Sequence, residues 1–122
     1  MSLPQRWQRS RQSAQPQGVK IRYCGRGSIY GNPFEIGCHE YGGHLKWWSR
    51  QDVIMLHAAE LDVIIANLGM TEQEYFMPLL QYDYLSCWCA LDEECHVSNL
   101  LDRLARLTTY IQIPMELEQV TA

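Results

Sequence analysis

The first 34 residues contain no Asp or Glu, although the chain of 122 residues has 14 of them. That absence leaves Arg6, Arg9, Arg11, Lys20, Arg22 and Arg26 with no acid nearby in sequence. Residues 35–122, with the other four basic residues and all 14 acids, carry a charge of −10. A basic arm on an acidic body invites an anion, whether nucleotide, nucleic acid or acidic protein surface, and it can equally pair with the protein's own acids. Long apolar runs are missing too. The best candidate, residues 53–68, is interrupted by His57, Glu60, Asp62 and Asn67, which argues against a membrane span. No apolar segment follows the basic N-terminus, so no signal peptide is expected. The five cysteines are an odd number. Without an export signal they fit free thiols in a reducing cytoplasm rather than a disulfide framework. Internal repeats, a phosphate-binding P-loop and a G-x-G-x-x-G pattern are likewise absent.

What is present has the composition of an ordinary globular domain, 47% hydrophobic and 20% charged. The length fits one domain over residues 1–122, with 1–18 as a basic arm or edge strand and 114–122 as a frayed tail. Gln5–Arg9 is a short strand candidate anchored by Trp7, followed by a polar loop over Gln12–Gly18. Alternation in Val19-Lys20-Ile21-Arg22-Tyr23 predicts a strand that ends in the turn Cys24-Gly25-Arg26-Gly27-Ser28. Turn-forming residues continue to Gly37, and His39–His44 reads as a polar connection.

Ser49 or Asp52 is placed to cap a helix over about residues 50–68, with Ile54, Ala58, Leu61, Ile65 and Leu68 inward and Val53 and Ile64 widening the stripe. Thr71-Glu72-Gln73-Glu74 fits a capping box for a short helix ending near Pro78. A strand over residues 84–89 follows. A helix from about 93 to 108 then turns Leu100, Leu101, Leu104 and Leu107 inward, with Asp92 as its cap and Cys95 in its first turn. Tyr110–Ile113 alternates like a final strand. Strands alternating with helices predict a small α/β domain with a mainly parallel sheet flanked by helices.

That order has a functional consequence. If the strands at 19–24 and 84–89 are parallel neighbours, the loops after them leave the same sheet edge, where such folds bind ligands. The first loop brings Gly25, Arg26, Gly27 and Ser28, which offer backbone N–H groups, a guanidinium fork and a hydroxyl to an anion. The second brings Cys87, Cys89, Cys95 and His96. Cys95, at a helix start with His96 beside it, is the candidate nucleophile, and Cys87 and Cys89 share a strand face opposite Trp88. Established zinc sites separate paired cysteines by two or more residues. Here one residue separates Cys87 from Cys89 and none separates Cys95 from His96, so no metal and no cofactor is expected. Trp47 and Trp48, beside Lys46 and Arg50, are candidates for stacking on a base or a protein partner.

Arg22 through Ser28 followed by Gly31-Asn32-Pro33-Phe34-Glu35-Ile36-Gly37, together with Leu85-Ser86-Cys87-Trp88-Cys89 and Cys95-His96 before a leucine-rich helix, resembles a family found in phages and bacteria. It is known as domain of unknown function forty-three twenty-six. The opening Gln5–Arg11 is similar to that family's N-terminal strand. The resemblance implies a compact α/β domain and marks Asn32, Cys87, Cys89, Cys95 and His96 as a family constellation, without bringing a reaction. Two departures stand out: Val97-Ser98 replaces an expected Gly-Asp pair, and Gly69–Gln81 looks inserted.

The resulting expectation is a nucleotide- or phosphate-ligand-binding domain, with nucleotide processing as its enzymatic extension. Cys95 and His96 would be catalytic, and Arg22, Gly25, Arg26, Gly27, Ser28 and Asn32 would bind the ligand. The alternative is a phage-type protein that binds a host protein or defence complex without catalysis, through Trp47, Trp48, Tyr75 and Phe76.

Overall fold

The computed structural model describes residues 2–11 and 16–121. In chain order it runs β1 (Gln5–Gln8), β2 (Ile21–Tyr23), β3 (Gly37–Tyr41), β4 (His44–Trp48), α1 (Arg50–Asn67), α2 (Glu72–Phe76), a 3₁₀ turn (Met77–Gln81), β5 (Tyr84–Cys87) and α3 (Val97–Thr121). Leu85, Ser86 and Cys87 are buried, so both backbone edges of β5 need partners. They find them in β1 and β2, which pair with it in parallel on either side to give the order β1-β5-β2. Leu85 stands opposite Arg6 and Arg22, and Ser86 opposite Trp7 and Tyr23. The ladder runs on past the strands, with Arg9 N–H donating to Cys87 O (2.7 Å) and Cys24 N–H to Ser86 O (2.8 Å). This is a mixed α/β domain with a three-stranded parallel sheet.

Several elements depart from expectation. The segment His39–His44 is not a connection but the tip of an antiparallel hairpin, β3–β4, with Cys38 opposite Trp47 and His39 opposite Lys46. Gly42 and Gly43 both take positive φ, +58° and +84°, which is what a two-residue turn matching the strands' twist requires. Helix α3 starts at Val97, so Asp92 does not cap it and Cys95 precedes its first turn. The expected strand at Tyr110–Ile113 and the expected frayed tail are helical as far as Thr121. Four alternating residues do not outweigh a helix already propagating, since each added residue gains a hydrogen bond without a new nucleus. Residues 12–15 of the expected polar loop, and Ala122 of the tail, lie outside the described residues.

The two helix starts follow their sequence signals. Ser49 and Asp52 close a reciprocal capping box on α1, and Thr71 and Glu74 close one on α2. On α1 the buried positions are Val53, His57, Leu61 and Ile65, so His57 takes an inward place while Ala58 and Leu68 are exposed. Leu100, Leu104 and Leu107 of α3 are buried as expected, and Leu101 is half-buried.

Tyr75 and Phe76 are not a partner surface. Both are fully buried and belong to the main core, with Leu61, Ile65, Leu79, Leu85, Leu100 and Leu104. Tyr75 donates its hydroxyl to Ile29 O (2.5 Å), while Tyr30 donates to Tyr75 O (2.6 Å), so the segment Gly69–Gln81 binds the loop after β2. Arg103, which bonds Glu72 (2.9 Å) and Asp62, lies over the Phe76 ring and ties α1, α2 and α3 together. No single helix among the described residues is long and apolar enough to cross a membrane.

Candidate functional site

Parallel strands send the chain out at one edge, and two loops meet there as the strand order requires. The loop after β2 and the loop after β5 wall a cleft of about 430 Å³, which α1 closes through Arg50, Val53 and Ile54. Gly25, Arg26 and Asn32 line it from the first loop, and Cys87, Trp88, Cys89, Cys95 and His96 from the second. Gly27 and Ser28 face a smaller adjoining depression of about 270 Å³ that also touches Arg26 and Asn32. Arg22 lines neither, and its guanidinium lies over the Tyr30 ring. Trp47 and Trp48 are also outside the cleft: Trp48 stacks on His39, and Trp47 is 65% exposed on the hairpin.

The first wall is held by close contacts. Ser28 donates its hydroxyl to Gly25 O (2.7 Å), closing the turn, and Tyr23 donates to Arg26 O (3.0 Å). Gly31 crosses the Gly25 backbone so closely that a Cβ there would stand 2.5 Å from Gly25 O. Buried Asn32 joins this loop to α1, donating to Val53 O (2.9 Å) and accepting from Phe34 N–H (3.0 Å). Its amide is committed to the scaffold, so it positions the wall. Arg26 meets Glu35 at 3.6 Å, with both side chains mostly exposed.

The second wall holds three thiols. The sulfurs of Cys87, Cys89 and Cys95 all lie within 4.8 Å of one another, and Trp88 between the first two is half exposed. The short chain spacings therefore do not keep these sulfurs apart. Cys87 and Cys95 place their sulfurs 3.0 Å apart, close enough for one thiol to donate to the other. The bond with Cys95 holds the Cys87 thiol below its usual range against the opposing effect of burial, helped by the Cys89 N–H and the charge of Arg6. Cys95 is pushed up by the same bond and by burial. Of the two buried sulfurs, Cys87 is the one favoured as thiolate. Burial also pushes the Cys24 thiol up, to about 12.

His96 is buried and neutral. A carbonyl only accepts, so its contact with Cys24 O (2.6 Å) places the proton on Nε2 and leaves Nδ1 bare, 3.7 Å from Cys95 Sγ. Desolvation holds its pKa below the usual range. His57 packs edge-on against it at 5.3 Å and is lowered to about 4 by burial and then by His96. Asn99 fixes His57 by donating to its Nδ1 (3.1 Å).

Sequence reasoning missed two clamps. Arg6, read as part of a basic arm or edge strand, donates to Glu93 O (3.0 Å) and Ala90 O (2.9 Å). Arg50 reaches Cys89 Sγ and Glu94 O, each at 3.4 Å, and pairs with Glu93 at 2.8 Å. Both guanidinium groups hold the loop that carries the thiols. The acid-free N-terminus signalled the first, but only the pairing of β1 with β5 shows where Arg6 lands.

Residues 6–106 match the family described as Domain of unknown function (DUF4326). No curated protein and no solved structure matches the chain.

Proposed function

The chain belongs to this family, which carries no assigned reaction, and we propose that it binds an anionic small molecule of the nucleotide or phosphate class in the cleft between its two motif loops. One observation carries the reading: the loop with Gly25 and Arg26 and the loop with Trp88 face each other across a single cleft at the carboxyl edge of β2 and β5. Its volume of about 430 Å³ is that of a small-ligand pocket. Half-exposed Trp88 and Phe34, both lining the cleft, supply flat apolar surface for a base. Arg26 and Arg50 supply charge. Both are now paired with carboxylates, at 3.6 Å and 2.8 Å, in partly exposed positions. Pairs of that kind are worth only about 0–1 kcal/mol, so a phosphate bearing more charge displaces them at little cost.

Calorimetry against nucleosides and their mono-, di- and triphosphates tests this. Phosphate-bearing ligands bind and weaken with added salt, nucleosides alone bind less tightly, and Arg26→Ala combined with Arg50→Ala costs about tenfold or more in affinity. Binding by no phosphate-bearing ligand, or binding that the double substitution leaves unchanged, overturns the reading.

A further inference from the structure

We propose that Cys87, Cys89 and Cys95 bind a zinc-class divalent cation as three thiolates, leaving its fourth coordination position facing the cleft. The site stands on its own residues, whatever the cleft holds. Thiolates at about 2.3 Å from a tetrahedral zinc are about 3.8 Å from one another. Three sulfurs already within 4.8 Å need only small side-chain rotations to reach that arrangement, chiefly an opening of the 3.0 Å Cys87–Cys95 contact. All three residues line the cleft, which supplies both an entry path and an open position.

The surroundings carry the charge that a thiolate site needs. Three thiolates around a divalent cation leave one net negative charge. Arg50 stands 3.4 Å from Cys89 Sγ to offset it, and Arg6 pins the loop between the second and third cysteines through Ala90 and Glu93. A donor set of three sulfurs selects a soft or borderline cation over magnesium or calcium. Cys38 is exposed on the hairpin, and Cys24 is not among the three residues whose sulfurs lie within 4.8 Å of one another.

Cobalt(II) is the probe, since its spectrum reports sulfur ligation directly. Reduced, chelator-treated protein takes up one cobalt per chain, with thiolate-to-metal charge transfer in the near ultraviolet and the intense visible bands of a tetrahedral ion. One equivalent of zinc displaces it. Cys89→Ser, at a half-buried position that keeps the fold by circular dichroism, weakens binding about tenfold or more, whereas Cys38→Ser leaves it unchanged. The proposal is overturned if the reduced wild-type protein gives no charge-transfer band, if Cys89→Ser binds as tightly as wild type, or if Cys38→Ser abolishes binding. Nucleotide titrations of the metal-free protein are read separately, so failure of the cleft reading is distinct from failure of this one.

Discussion

Cys87 at the end of β5 and Cys95 just before α3 place their sulfurs 3.0 Å apart, although seven residues separate them in the chain. The loop between them returns on itself because Arg6 and Arg50 hold its carbonyls from both sides.

That proximity makes them the first internal disulfide. Limited hydrogen peroxide treatment of metal-free protein removes one hydrogen from each thiol, forming water and a Cys87–Cys95 bond. Non-reducing peptide mapping should recover this link ahead of any link from Cys24 or Cys38. An internal disulfide that joins Cys89 to another partner first would contradict the geometry.

Acid should destabilise the fold before its carboxylates titrate. His57 has an ordinary pKa near 6.5 when unfolded and one of about 4 when folded, because burial disfavours its charge. Unfolding therefore takes up a proton as pH falls below 6.5, and stability present at neutral pH declines until pH approaches 4. The loss amounts to about 3 kcal/mol across that window. Urea denaturation at a series of pH values measures it, and a flat profile between pH 7 and pH 4.5 refutes it.

Phe76→Ala should act on stability and not on partner binding. The ring is fully buried in the core and lies under Arg103. Emptying it costs about 3–5 kcal/mol, read as a lower denaturation midpoint with an unchanged slope. A midpoint close to wild type would return this residue to the surface.

Gly31→Ala should cost about 1–3 kcal/mol, because its methyl group meets the Gly25 carbonyl at 2.5 Å and backbone gives way poorly. The same substitution at Gly27, where nothing lies within 4 Å of an added Cβ, isolates the effect of positive φ from that of contact. Equal losses at the two sites would show that crowding is not the cause at Gly31.

Local patterns foretold local structure. Thr71 with Glu74 is a complete capping signal in a few residues and appears as read, while Ser49 and Asp52, read as alternative caps, act together in one capping box. The apolar alternation around Ile21 and the run Leu85–Cys87 placed two strands whose parallel pairing then fixed the two walls of the cleft. What escaped depends on distance along the chain. Cys87, Cys89 and Cys95 looked too tightly spaced to share an ion, because spacing in sequence says nothing about a loop folded back by arginines from β1 and α1. Tyr75 and Phe76 looked available because the segment carrying them resembled an insertion, yet the core has no other residues in their place. The Gly42-Gly43 pair was a local signal for a hairpin, passed over because its flanking strands carry His, Glu and Lys in place of clear alternation.

The order β1-β5-β2 also dictates when the sheet comes into being. The two strands nearest the N-terminus do not pair with each other; each waits for a strand made about two-thirds of the way along the chain, with Arg6 meeting Leu85 and Ile21 meeting Tyr84. Growing from a ribosome, the first two-thirds of the chain has hairpin and helices to form but no sheet to join. Contacts so distant in sequence slow the search for the native state. Closure then comes as a single late event, in which the arrival of β5 completes the sheet and, with residues 88–96, brings both walls of the cleft into place.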